Sequence, residues 1–401
     1  MVRLGLTRGQ YGFFPRSEYQ SRLRRAKELM EERDADALLL SRKENVVYFS
    51  GTLWSGAGGL YALLPARGDP AVFVPFLEYG NVLNTSWIER IAPWSSYADP
   101  QWNEQLPSSQ YEAICKIVEE TLGPNAKLGL DQSTMYNKDF EGIRSALPSS
   151  KLIDLSEPIA EILMIKTDAE VKRIRIACEA TCKGIKAGFE SLRIGMPERE
   201  VARTVLTTIV KNTGFIPQFA LVRSGVERSW MFNCVPSSKR IRKGDMVVID
   251  AGGTYEGYPA DVMRTACVGE PTARQKALFE AEREAQQAAV EAVRPGIRAC
   301  DLYFMAVEVL KKHGIRDGSF VRTIGHGLGL GGYGPPLLTP TNKTELQRNM
   351  VVAVEPNMLD RPFTFSNRPR YMDFAVEDNV VVTTNGHRIL TPLQRDLWIV
   401  G

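Results

Sequence analysis

Histidine is nearly absent from this chain: the 401 residues contain only His313, His326 and His387, which excludes a site built from several imidazoles. Cysteine is sparse as well. Cys115, Cys178, Cys182, Cys234, Cys267 and Cys300 form no C-x-x-C pair and have no regular spacing, so they are expected to be reduced, structural thiols in a cytoplasmic protein. No run of 18 apolar residues occurs, and no membrane span is expected. The first twenty residues, MVRLGLTRGQYGFFPRSEYQ, lack a continuous apolar stretch and a small-residue cleavage site, so secretion is not expected either. Charge of one sign is also missing. Fifty Lys and Arg against 47 Asp and Glu leave a net charge of +3, which gives no basic footprint for nucleic acid.

What is present fits a soluble globular chain: 44% apolar and 24% charged residues, with a length that suggests two domains. Residues 17–35 place Tyr19, Leu23, Ala26, Leu29 and Met30 at helical steps. The basic segment RLRRAKELMEER within them reads as a solvated helix face. Residues 35–51 read as strand, short helix and strand, and residues 61–75 as two strands around an Arg-Gly-Asp-Pro turn. The texture then changes to long helices, the first entered through Thr167-Asp168 as capping residues. The expected boundary lies near Ile165, giving domains 1–164 and 165–401. Within the second, RIGMPEREVARTVL and RPGIRACDLYFMAV are weakly similar, which hints at two related halves. Asn385-Gly386 signals a hairpin.

Five residues stand out in this second part. Asp250 ends MVVID, and Asp261 opens ADVMRTACV, with Gly252, Gly253 and Gly257 between them. A hairpin there would set two carboxylates side by side, which repel unless a proton or cation lies between them. His326 stands in TIGHGLGLGGYG, Glu355 in VVAVEPN and Glu377 in FAVEDNVVV. A carboxylate inside a strand core is costly unless paired or metal-bound. Gly327-x-Gly329-x-x-Gly332 fits a dinucleotide fingerprint, but Tyr-Gly-Pro-Pro follows instead of a helix, so the glycines are expected to let the backbone pass close to substrate. Four carboxylates carry a formal charge of −4. Oxygen-rich ligation with one imidazole suits two divalent ions, of Mn, Fe, Co or Zn, and such a pair supports hydrolysis.

The order Asp, Asp, His, Glu, Glu, with KGDMVVIDAG, IGHGLG, MVVAVEPN and VEDNVVVT around it, resembles the superfamily of creatinase, aminopeptidase P, prolidase and methionine aminopeptidase. The resemblance implies an α/β chain: a creatinase-like N-terminal α/β domain, then a C-terminal pita-bread α+β catalytic domain. It implies Asp250, Asp261, His326, Glu355 and Glu377 as metal ligands, with Glu355 also the proton acceptor. It further implies a small-molecule or short-peptide substrate and a homodimer. Where it expects two histidines the chain has Asn233 and Tyr333, and Ala375 stands where it expects an arginine. Asn233, Tyr333, Arg370 and Trp54 are the candidate substrate contacts, and Tyr333 is also a candidate catalytic donor. These replacements make ordinary peptidase activity doubtful, and the expectation is a dinuclear-metal-dependent hydrolase of this superfamily that cleaves a C–N (amide or peptide) bond in a small substrate. The alternatives are a creatinase-like hydrolase, a dimethylsulfoniopropionate-lyase-like β-eliminase and a non-catalytic binding module on the same fold.

Overall fold

The computed structural model of the chain describes residues 11–53, 56, 58–95, 106–228, 233–315, 322–358 and 374–401. It divides into two compact units, Met1–Leu163 and Met164–Gly401. The first holds a six-stranded sheet: β1 Ala37–Leu40, β2 Tyr61–Pro65, β3 Ala71–Pro75, β4 Arg90–Trp94, β5 Lys127–Leu130 and β6 Lys151–Asp154. Their spatial order is β4-β3-β2-β1-β5-β6. The pairs β1/β2 and β2/β3 are antiparallel and the other three are parallel. Every residue of β1, β2 and β3 is buried, as the continuous apolar runs of a sheet covered on both faces require.

The helix expected near Ser17 runs Arg16–Glu32 and buries Tyr19, Ala26, Leu29 and Met30. One element differs from expectation. The second strand foreseen in residues 35–51 is the body of a helix, Lys43–Ser50. Asp131, just beyond β5, is the cause: its carboxylate accepts from the N–H groups of Ser41 and Arg42 at 3.0 and 2.8 Å and from the Asn45 amide at 2.9 Å. Those bonds anchor the entry to the helix, and Gly51 closes it at φ 72°. A tertiary contact thus overrides the β-propensity of Val46, Val47, Tyr48 and Phe49.

The second unit repeats one plan. The antiparallel helix pair Asp168–Ser191 and Glu198–Thr213 precedes β7 Phe219–Ser224, β8 Met246–Gly252, the small hairpin β9 Thr254–Tyr255 and β10 Tyr258–Pro259, and β11 Val262–Val268. The pair Ala273–Ala292 and Ala299–Lys312 precedes β12 Gly325–Gly329, β13 Gly332–Gly334, β14 Val351–Val354, β15 Asp378–Val382, β16 His387–Ile389 and β17 Trp398–Val400. Thr167 caps the first of these helices and forms a capping box with Glu170. The sheets are ordered β17-β11-β8-β7 and β13-β12-β14-β15-β16. Asn385-Gly386 lies in the β15/β16 connection, where the Thr383 N–H donates to the Gly386 carbonyl.

The weak sequence repeat has a structural counterpart. Gly195 N–H donates to Ile241 O at 2.8 Å and Ile241 N–H to Met196 O at 2.9 Å. In the second half Gly296 N–H donates to Leu346 O and Leu346 N–H to Ile297 O, both at 2.8 Å. Both glycines take φ in the left-handed region, 85° and 81°, which a side chain would strain. Asp250 follows Ile241 as Glu355 follows Leu346, and Asp261 immediately precedes β11 as Glu377 immediately precedes β15. Each half therefore delivers two acids at equivalent places.

The two halves are tied across these acids. Glu377 N–H donates to Met263 O at 3.1 Å. Arg264, fully buried, donates to the carbonyls of Met263, Glu377, Leu393 and Gln394 and to the Asp378 carboxylate at 2.7 Å. Asp378 also receives Gln286, Thr391 and Arg395. Burial disfavours its ionisation, but Arg264, Arg395 and Thr391 overcome that and hold its carboxyl below the usual carboxylate range. The stabilisation is therefore present above about pH 4 and is lost as the pH falls further. Asp378→Asn should destabilise the protein by about 3–5 kcal/mol at neutral pH, because it leaves Arg264 buried without its counter-charge. Urea unfolding checks this, with a deficit that narrows below about pH 4.

Candidate metal centre

The acids converge because their strands do. Asp250 lies in β8 opposite Met263 of β11, Asp261 at the head of β11, His326 in β12 opposite Ala353, and Glu355 and Glu377 at the adjoining ends of β14 and β15. Asp261, His326 and Glu377 each present a ligand atom, and these atoms lie within 4.8 Å of one another. His326 Nε2 is 3.4 Å from Asp261 Oδ2 and 3.6 Å from Glu355 Oε1. Its Nδ1 is 3.0 Å from the Gly327 carbonyl. A carbonyl can only accept, so Nδ1 carries the hydrogen and Nε2 faces the carboxylates.

Burial governs the electrostatics. It is the main cause that pushes Asp250 and Glu377 well above the usual carboxylate range, with Asp261 and Glu355 adding to it. Burial also raises Glu355, to about 7, although His326 opposes the shift. For His326, burial works against protonation, but Asp261 and Glu355 outweigh it and raise its pKa. Among the described residues no hydrogen-bond donor reaches Asp250 Oδ1 or either oxygen of Glu377, which is 1% exposed. Acceptor-only oxygens buried beside one imidazole fit hard or borderline divalent cations, which need no donor hydrogen.

The expected substrate contacts fare differently. Tyr333, in β13, is 60% exposed and its ring centroid lies 4.3 Å from that of His326. Asn233 is exposed between β7 and β8, and among the described residues no hydrogen bond ties it to the cluster. Trp54 and Arg370 lie outside the described residues. The glycine segment passes close to neighbouring backbone. A Cβ at Gly327 would lie 1.9 Å from Pro335 O, and one at Gly325 would lie 2.0 Å from Ala353 O. These glycines admit neighbouring backbone, and β12 continues into β13 with no helix.

Sequence reasoning missed the residues behind the acids. Asn357 donates to Glu355 Oε2 at 3.2 Å and to its carbonyl at 2.8 Å. Asn379 bonds the Asp261 backbone, and Glu282 is a fully buried carboxylate close enough to Glu355 to feel its charge. Asn357 and Asn379 follow Glu355 and Glu377 by two residues, and that shared spacing was the available signal.

Residues 172–384 match the model of metallopeptidase family M24, and residues 22–165 match the creatinase/prolidase N-terminal domain. The chain belongs to metallopeptidase family M24. It is 32% identical to the Xaa-Pro dipeptidase of Pyrococcus furiosus over 94% of this chain and 99% of the relative. The prolidase of Pyrococcus horikoshii OT3 superposes with a TM-score of 0.80 at 29% identity, covering 94% and 99% of the two chains. X-Pro aminopeptidase of Thermotoga maritima gives 0.80 at 26% identity over 94% and 99%. The second unit thus has the pita-bread catalytic fold of M24, and the first is a creatinase-type N-terminal domain. As a member of M24 the chain is a metal-dependent hydrolase with divalent cations as cofactors. The relatives favour the peptidase reading over the creatinase-like, lyase-like and non-catalytic alternatives. The doubt about peptidase activity, drawn from Asn233, Tyr333 and Ala375, finds no support in them.

Because the pKa of Glu377 is raised on folding, the folded, metal-free protein holds a proton that the unfolded chain releases, and stability falls as the pH rises above the usual carboxylate range. Glu377→Gln should remove part of that loss. In chelator at pH 8 the variant is expected to be at least as stable as the wild type, by up to about 1–3 kcal/mol, yet to gain nothing on adding metal. Thermal unfolding with and without Mn²⁺ measures both effects.

Proposed function

We propose that the chain is a dinuclear-metal-dependent hydrolase that cleaves the C–N bond of short Xaa-Pro peptides, dipeptides foremost. The observation that carries this reading is the buried acidic cluster whose acceptor oxygens at Asp250 and Glu377 lack donors. Asp250, Asp261, His326, Glu355 and Glu377 would hold two ions of Mn, Fe, Co or Zn, which balance four carboxylates in charge. Bound there, such ions supply an acidified water and stabilise negative charge on a carbonyl oxygen.

The remaining chemistry falls to side chains. Glu355, with a pKa of about 7 in the metal-free site, is the proton acceptor. It takes a proton from water as the water oxygen bonds to the carbonyl carbon, and returns it to the nitrogen as the C–N bond breaks. Tyr333, against His326 and open to solvent, can donate a hydrogen bond to a substrate oxygen but holds its proton near neutral pH, since burial and Glu355 raise its pKa. Asn233 is a second polar contact for substrate. Trp54 and Arg370 are carried forward on sequence grounds, as is the homodimer. The Xaa-Pro preference rests on the relatives named Xaa-Pro dipeptidase.

Metal-stripped protein reloaded with Mn²⁺ or Co²⁺ should bind two ions per chain by mass spectrometry and hydrolyse Xaa-Pro dipeptides. Glu355→Gln should lower kcat by about 10²–10⁴-fold while the protein stays folded. Full activity with one ion per chain would remove the dinuclear part. Metal binding without turnover of Xaa-Pro dipeptides or longer Xaa-Pro peptides would move the substrate elsewhere.

A further inference from the structure

Asp261 sits between two ladders and belongs to neither. The β9/β10 pairing ends at Pro259, and the β8/β11 pairing begins at Val262. The Asp261 peptide groups therefore have no strand partner at the point where the carboxylate must be aimed. Asn379 fills that role with its side chain. Its Oδ1 accepts from Asp261 N–H at 3.0 Å, and its Nδ2 donates to Asp261 O at 2.6 Å. Only one orientation of the amide satisfies both bonds, which fixes the side chain. Cys178, on the helix Asp168–Ser191, donates its thiol to the same Oδ1 at 3.2 Å. Asn379 and Cys178 are both fully buried, so water does not substitute for these contacts.

Asn379 also stands on β15, two residues beyond Glu377, with Ala353 as its ladder partner. Its amide thus joins the strand that carries Glu377 to the bend that carries Asp261, and both acids belong to the cluster with His326. We infer that Asn379 is a positioning residue which, held by Cys178, fixes the Asp261 main chain relative to Glu377 and thereby sets the affinity and coordination of the bound ion. With the main chain clamped, the Asp261 carboxylate has only its two side-chain torsions to search. Without the clamp, a peptide plane is freed and the Asp261 N–H and carbonyl lose their partners. This inference rests on the assignment of Asp261 as a ligand.

The test uses the full chain, stripped of metal and titrated with Co²⁺ in competition with a chelator, with the visible absorption of bound Co²⁺ recorded. Asn379→Ala is expected to bind Co²⁺ about 10- to 100-fold more weakly, the range usual for loss of a group supporting a ligand, and to change the absorption bands. A purely structural role would lower the melting temperature with and without metal and leave affinity and spectrum at wild-type values. That result overturns the inference. Should Asn379→Ala fail to fold, Asn379→Asp carries the test: it is nearly isosteric but cannot donate to Asp261 O, and a wild-type spectrum and affinity would again overturn it. Asp261→Asn separates the two levels. Undiminished Co²⁺ affinity in that variant removes the ligand assignment itself, whereas weak binding there with unaffected Asn379 variants removes only the positioning role.

Discussion

Mutual repulsion among carboxylates withdrawn from water is the constraint on which the second unit is built. Asp250, Glu355 and Glu377 are each pushed upward in pKa, chiefly by burial and, among the neighbouring charges that raise them, first by Asp261, so the cluster resists its own assembly at neutral pH. The scaffold meets that resistance by holding main chain. The peptide groups of Glu377 bond Met263 and Arg264, those of Asp261 bond Asn379, and the Glu355 N–H bonds Ile324. Among the described residues, Asp250 Oδ1 and both Glu377 side-chain oxygens are left without donors, while the peptide groups just named are bonded. That division is what a cation site requires and what a structural ion-pair network would not show.

Much of this was legible in the chain itself. The five candidate ligands were visible as polar interruptions of apolar runs, in an order that carried the resemblance to M24, and Thr167 announced its helix through ordinary capping chemistry. Their supports were hidden, because they depend on register between distant strands. Arg264 and Asp378 are 114 residues apart, and no local pattern indicates that they meet. The same limit explains the helix Lys43–Ser50: its anchor, Asp131, lies 86 residues beyond Asn45, so local β-propensity was the only signal on offer.

The three positions that raised doubt about peptidase activity also separate once the register is known. Tyr333 stands against His326, whereas Asn233 is exposed with no described bond to the cluster. Ala375 packs with Val248 and Met263. Val248 is the cross-strand partner of Arg223, which is buried and points to the same face as Asp250 two residues along. The sequence marked an absent arginine at 375, but only strand pairing brings another arginine to that face of the sheet. Its charge bears on Asp250, Glu355 and Glu282.

The repeated plan of the second unit also bears on the order of its making. The chain is synthesised from the N-terminus, so the strands around Asp250 and Asp261 emerge before His326, Glu355 and Glu377, whereas β17, the edge strand of the same sheet, emerges last. On the assignment proposed above, the first half holds two acids and no imidazole, too few donors to retain an ion. Its sheet is finished only when β17 pairs with β11 and Arg264 meets Asp378, both supplied by the last part of the chain. Metal capture is then a step that waits for the last part of the chain. Closure of that sheet and assembly of the full set of acids therefore become possible at the same late point in synthesis.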